Sequence, residues 1–188
     1  MKKVYISCYE NSDYKYKEIL IKSNEIRGNK LFTLVQSDSD FVEKDYLSKK
    51  DNIIPFIKKN VLRGADVVVF LIGEETYKRR VVDWEARAAM SSFGVLDKCG
   101  IVIVYLPELI EKYGSKIPRI VLPEILKVNV ESNDVFVLET TWEKIKRDIN
   151  ILDKLLKTSY AYSRMSNYVL TTAMEKENIC NYPENSFK

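Results

Sequence analysis

Apolar residues along this chain follow two rhythms that alternate. Short unbroken runs come first: "VYIS" (Val4 to Ser7), "LFTLV" (Leu31 to Val35), "DVVVFLI" (Asp66 to Ile72) and "IVIVYL" (Ile101 to Leu106). The last two are continuous and β-branched, the pattern of parallel strands covered on both faces. Between the runs, apolar positions recur at helical spacing. From Asp13, the residues Tyr16, Ile19, Leu20, Ser23 and Ile26 make a stripe that stops near Gly28. A shorter helix is expected around Asp51 to Leu62, with Pro55 in its early part, and another from Val81 to Phe93. Thr140 and Glu143 have capping-box spacing ahead of a helix with Trp142, Ile145, Ile149, Leu152 and Leu156 on one face, and "VFVL" (Val135 to Leu138) is a weaker strand before it. Strands alternating with helices in this order predict an α/β protein with a central parallel sheet and helices on both faces. The runs at Val4, Asp66 and Ile101 should be adjacent in its middle.

Open sheets of this kind bind ligands beyond the carboxyl ends of their strands. The site is therefore expected from Ser7 to Glu10, Gln36 to Lys50, Gly73 to Arg80, and whatever the next helix presents. The long polar segment Gln36 to Lys50 is the candidate lid. In the helix from Val81, at about 100° per residue, Val82, Ala86, Ala89 and Phe93 line up toward the sheet. Glu85 sits at the border of that face, one turn in, pointing to the strand ends. Trp84 falls on the opposite side, covered by a neighbouring segment or forming a self-association surface. Two readings of Glu85 stand at this point: a functional acid in a partly desolvated site, or a helix-start acid paired with Arg79 or Arg80. The two arginines are either solvated loop charges or a site for a pyrophosphate.

Composition narrows the chemistry. The chain contains no histidine, which removes Ser-His-Asp triads, Cys-His dyads and the HExxH metal site and leaves carboxylates foremost. No metal site is expected. Cys8, Cys99 and Cys180 are widely separated and include no CxxC pair, which suits a reducing cytoplasm rather than a disulfide framework. A net charge of +3 spread without blocks favours neither nucleic acid nor a membrane as partner. The start "MKKVYISCYE" lacks an apolar stretch of signal-peptide length. A length of 188 residues with 46% apolar content fits one domain, taken as residues 1–158, with a tyrosine-rich extension over 159–188 packing on it.

The segments "VYISCYENSD" and "DVVVFLIGEETYKRRVVDWE", with the interval between them, resemble the TIR-like proteins of bacterial Thoeris anti-phage systems. The matching features are a first strand ending in Ser with an aromatic nearby, and the run LIG, Thr, an aromatic, Arg-Arg, Val, two residues and Glu. The resemblance covers roughly Val4 to Val104. It implies a three-layer, flavodoxin-like TIR fold and cleavage of NAD at the bond to nicotinamide. It also implies an ADP-ribose-derived, often cyclic, signal that activates a separate effector, a phage-derived trigger, and a possible homo-oligomer. NAD is then a substrate, and no cofactor is implied. The family's catalytic glutamate falls on Glu85 and its first-strand aromatic beside the NAD site on Tyr5. One departure is that Val81 follows the Arg pair where the family usually has Trp, while Trp84 stands just before the glutamate.

The chemistry is consistent with the residues on their own terms. Breaking the nicotinamide–ribose bond needs no proton on the leaving group, because the pyridinium departs neutral; the demand is a carboxylate that stabilises an oxocarbenium-like ribose. Glu85 is the expected catalytic residue. Tyr5, Ser7, Cys8, Tyr9, Gly73, Arg79 and Arg80 are the expected substrate-binding residues, with Cys8 a wall residue because no adjacent base is evident. Two other classes remain open from sequence: a non-catalytic TIR-like scaffold that self-associates, and a nucleotide-binding receptor.

Overall fold

The computed structural model describes residues 1–36 and 53–170. Its sheet has the strands β1 (Lys2–Ser7), β2 (Phe32–Leu34), β3 (Val67–Ile72), β4 (Gly100–Tyr105) and β5 (Val137–Thr141). They lie in the order β2-β1-β3-β4-β5, every neighbouring pair parallel. The three runs expected in the middle of the sheet are there. Every residue of β3 and β4 is buried, as continuous apolar strands with two covered faces must be.

The covering layers differ in character. On one face lie α1 (Glu10–Ile26), α6 (Trp142–Arg147) and α7 (Asn150–Ser163), whose Tyr16, Leu20, Trp142, Ile145, Leu152 and Leu156 pack with Val4, Ile6, Val69 and Val104. On the other lie α2 (Ile53–Phe56) with a following π turn (Ile57–Val61), α3 (Arg80–Met90) and α5 (Glu124–Glu131). A short helix α4 (Pro107–Tyr113) follows β4. The architecture is a three-layer, flavodoxin-like α/β fold. Chain direction across the sheet reverses between β1 and β3, and this switch point is where such folds open a crevice. Among the described residues no helix is long and apolar enough to cross a membrane.

Three expectations need correction, and the choice left open for Trp84 falls to cover by a neighbouring segment. In α1 the buried row is Asp13, Tyr16, Leu20 and Asn24, while Ile19 and Ile26 are exposed. Polar side chains hold the inner row because each is satisfied there: Asn24 donates to the Phe32 carbonyl and accepts the Leu31 and Phe32 N–H groups, fixing the entry to β2. The capping box at Thr140 and Glu143 does not form. Thr140 is still in β5, paired with Val104, the N-cap is Thr141, and its side chain caps nothing. The last expected helix is two helices, broken at Asp148, whose carboxylate accepts the Asn150 N–H at 3.0 Å and so starts α7. Trp84 is buried, in the same core cluster as Ile125 and Leu126 of α5. A helix covered on both sides has no free face for self-association through that ring.

Of Gln36 to Lys50 only Gln36 belongs to the described residues, so the expected lid lies outside them. At the other end, α7 runs through residues 158 and 159. Beyond it the buried Tyr168 donates to the Cys99 carbonyl at 3.0 Å, and Asn129 exchanges bonds of 3.1 and 2.8 Å with the Val169 backbone. The rest of the tyrosine-rich extension, from residue 171, is also outside the described residues.

Candidate active site

The two-residue period of a strand puts Tyr5 and Ser7 on one face of β1, toward α3. From α3, Glu85 meets them. The Tyr5 hydroxyl donates to Glu85 Oε1 at 2.6 Å and the Ser7 hydroxyl to Oε2 at 2.5 Å. One hydroxyl on each carboxylate oxygen fixes the plane of the group and leaves each oxygen a further lone pair. Glu85 is only 4% exposed. Burial raises its pKa above the ordinary glutamate range, and the bonds from Ser7 and Tyr5, then the charge of Lys17, pull it part of the way back.

The neighbouring expected residues divide into two groups. Cys8 is half-buried, and its thiol is pushed up to about 12, first by burial. It stays protonated at neutral pH, which disfavours it as a nucleophile. Tyr9 lies beneath Arg79, whose guanidinium carbon is 3.6 Å from the ring centroid; Arg79 also pairs with Glu75 at 3.7 Å. Arg80 opens α3.

Gly73, one of the expected substrate-binding residues, is buried and held from within the protein. Its N–H donates to the Thr76 hydroxyl at 2.8 Å, and that hydroxyl donates to Asp13 Oδ2 at 2.9 Å. Asp13 also accepts Ser12 at 2.6 Å and the Tyr9 N–H. A Cβ on Gly73 would stand 2.5 Å from Asp13 Oδ1, so only glycine admits the carboxylate here. This brace ties the first turn of α1, just after β1, to the loop after β3. Reasoning from sequence missed Asp13, Thr76 and Lys17. Asp13 resembles an ordinary first-turn acid, and only its contact across to Thr76 distinguishes it.

The brace has a measurable consequence. Thr76→Val keeps the shape but orphans the Gly73 N–H and removes a donor from a buried carboxylate, so a loss of about 1–3 kcal/mol is expected in urea unfolding. Thr76→Ser, which keeps the hydroxyl, should restore most of it. A valine variant as stable as wild type would show that the brace contributes nothing.

The chain matches the family model for Thoeris protein ThsB, TIR-like domain, over residues 5–110. That is more than half of its length. The chain belongs to the Thoeris ThsB TIR-like family. The matched span contains Tyr5, Ser7, Asp13, Lys17, Gly73, Thr76 and Glu85, so the whole candidate site of this ThsB-family chain lies inside it, and β5, α6 and α7 lie outside. Membership gives this ThsB-family protein a role in antiphage defence. No curated protein and no solved structure matches the chain.

A second consequence concerns the carboxyl group itself. Because burial raises its folded-state pKa, the contribution of Glu85 to stability is full below the ordinary glutamate range and is lost as pH rises through the folded pKa. Glu85→Gln has no charge to desolvate. It is expected to unfold at a higher temperature than wild type at pH 7, with the gap closing as pH falls toward the ordinary glutamate range. A variant less stable than wild type across that window would mean the acid is there for structure.

Proposed function

We propose that this protein cleaves NAD at the nicotinamide–ribose bond and makes an ADP-ribose-derived, cyclic signalling nucleotide that activates a separate effector during phage infection. The observation that carries the reading is Glu85: a buried carboxyl group, held on both oxygens by Tyr5 and Ser7, at the switch point of the sheet. A carboxyl group whose ionised form burial disfavours, set in a polar pair of hydroxyls, is the kind of group that functional sites hold.

In the proposed reaction the C1′–N bond breaks and its electron pair goes to the pyridinium nitrogen, so nicotinamide leaves neutral. The positive charge passes to the ribose, where the Glu85 carboxylate stabilises it while its free lone pairs take ribose hydroxyls. Tyr5 and Ser7 orient the carboxylate in advance. Capture of C1′ by a nucleophile of the same molecule closes a ring; capture by water gives ADP-ribose and releases a proton. Tyr9 and Arg79 border the mouth, and Cys8 is wall. The self-associating scaffold drew its candidate surface from Trp84, and that ring is in the core.

The test is to incubate the protein with NAD, with and without lysate from phage-infected cells, and to follow nicotinamide and small nucleotide products by mass spectrometry. Product in the presence of infected lysate supports the reading. Folded protein that releases no nicotinamide under either condition overturns it.

A further inference from the structure

Around the carboxyl ends of the strands most cations already have a partner. Lys15 pairs with Glu108, Lys78 and Arg79 with Glu75, and Lys112 with Glu74. Lys17 differs. It is half-buried, and among the described residues it makes neither an ion pair nor a hydrogen bond; its one close contact is with a ring.

The direction of that contact is informative. Lys17 belongs to α1, which packs on the face of the sheet that holds Tyr16 and Leu20. Tyr5 faces the other way, into the layer of α3. Yet the Lys17 ammonium stands 5.7 Å from the Tyr5 ring centroid. The ladder between β1 and β2 ends at Val4, and Val35 still lies alongside with its N–H on the Val4 carbonyl at 2.8 Å, so a contact between α1 and the Tyr5 ring has to pass the carboxyl end of the sheet. The ammonium therefore approaches the Glu85 site from the opposite layer. Its field acts on both Cys8 and Glu85, in company with the negative charge of Glu10.

Resting on the NAD reading above, we propose that Lys17 binds the phosphate-bearing arm of the substrate and selects a dinucleotide over a bare nucleoside. The reacting end of the substrate is a pyridinium cation, which an ammonium repels. The groups an ammonium attracts are the phosphates, a few bonds away along the ribose. A lysine suits them as a flexible point charge. Sequence reasoning assigned the pyrophosphate to Arg79 or Arg80; Arg79 is already occupied by Tyr9 and Glu75.

The test compares NAD with nicotinamide riboside, which carries the same scissile bond without phosphate, under the conditions that activate the wild type. Lys17→Met keeps helix propensity and removes the charge. The ratio of kcat/KM for NAD over riboside is expected to fall about tenfold or more, through KM for NAD, and Lys17→Arg should recover much of it. A ratio equal to that of wild type overturns the inference while leaving the NAD reading intact. So does an equal loss on both substrates accompanied by a shifted pH profile, because Lys17 would then act only through the ionisation of Glu85. A wild type that cleaves no NAD overturns the NAD reading, and this inference with it.

Discussion

Glu85→Gln is expected to lower the yield of NAD-derived product by about two orders of magnitude or more, the scale on which removing one preorganised electrostatic stabiliser acts. Glutamine keeps the volume and can still meet the Tyr5 and Ser7 hydroxyls, which rotate to donate or accept. What it lacks is the negative charge. The loss should therefore appear in the chemical step, with the fold intact by circular dichroism and, at pH 7, more heat-stable. For wild type the same raised pKa sets the acid limb of activity. Product formation should fall as pH drops through a value above the ordinary glutamate range, because protonation neutralises the group that acts. Glu74→Gln and Glu75→Gln are the controls. Glu74 sits in an exposed ion pair with Lys112, and Glu75 pairs with exposed Lys78 and, at 3.7 Å, with Arg79; pairs this exposed contribute little, so Glu74→Gln is the cleaner of the two. If Glu85→Gln makes product at nearly the wild-type rate where wild type is active, the catalytic assignment is wrong.

What sequence could reveal here depended on whether a buried row was apolar. β3 and β4 are buried on both faces by residues with no other use, so their runs gave the parallel sheet and its centre directly. Glu85 stood out for the opposite reason: an acid at the border of the row Val82, Ala86 and Ala89 contradicts its surroundings. α1 misled because its inner row carries Asp13 and Asn24, whose satisfaction depends on Thr76, in the loop after β3, and on Phe32, at the start of β2. No local pattern records such partners. Periodicity puts Trp84 on an outer face and calls for a segment over it without saying which. α5 covers that face, and it was passed over although Pro123 stands at its N-cap. α4 had a signal of its own, Pro107 at its first turn and Gly114, at φ 66°, just after its end. Lys17 could not have been found from spacing, since its meaning comes from a contact with Tyr5 across two layers of the fold.

α3 is buried from Val82 to Met90, and it carries a second electrostatic element on the side away from Glu85. Asp83 and Arg87, one turn apart and only 1% and 2% exposed, form an ion pair at 2.8 Å. The backbone of Ile125 at the start of α5 favours the ionised Asp83, so the pair faces the helix that covers Trp84. The pairing is incomplete: Asp83 Oδ1 and both terminal nitrogens of Arg87 are buried without a hydrogen-bond partner. Burial pushes the Asp83 carboxyl above the ordinary aspartate range, and Arg87 opposes that shift. Removing Arg87 alone strands a buried negative charge. Arg87→Met is therefore expected to destabilise the fold by about 3–5 kcal/mol at pH 7. The sign of the pH dependence follows from the raised pKa. With its cation gone, Asp83 contributes its stability fully only when protonated, so the deficit should shrink as pH falls toward the ordinary aspartate range and widen as pH rises. The double change Asp83→Asn with Arg87→Met keeps an acceptor for Ile125 and buries no charge, and it should recover most of the loss. Urea unfolding of the two variants at pH 5 and pH 7 decides the matter. If Arg87→Met is as stable as wild type, or if the double variant is no better than the single one, the pair is not what stabilises the helix that carries Glu85.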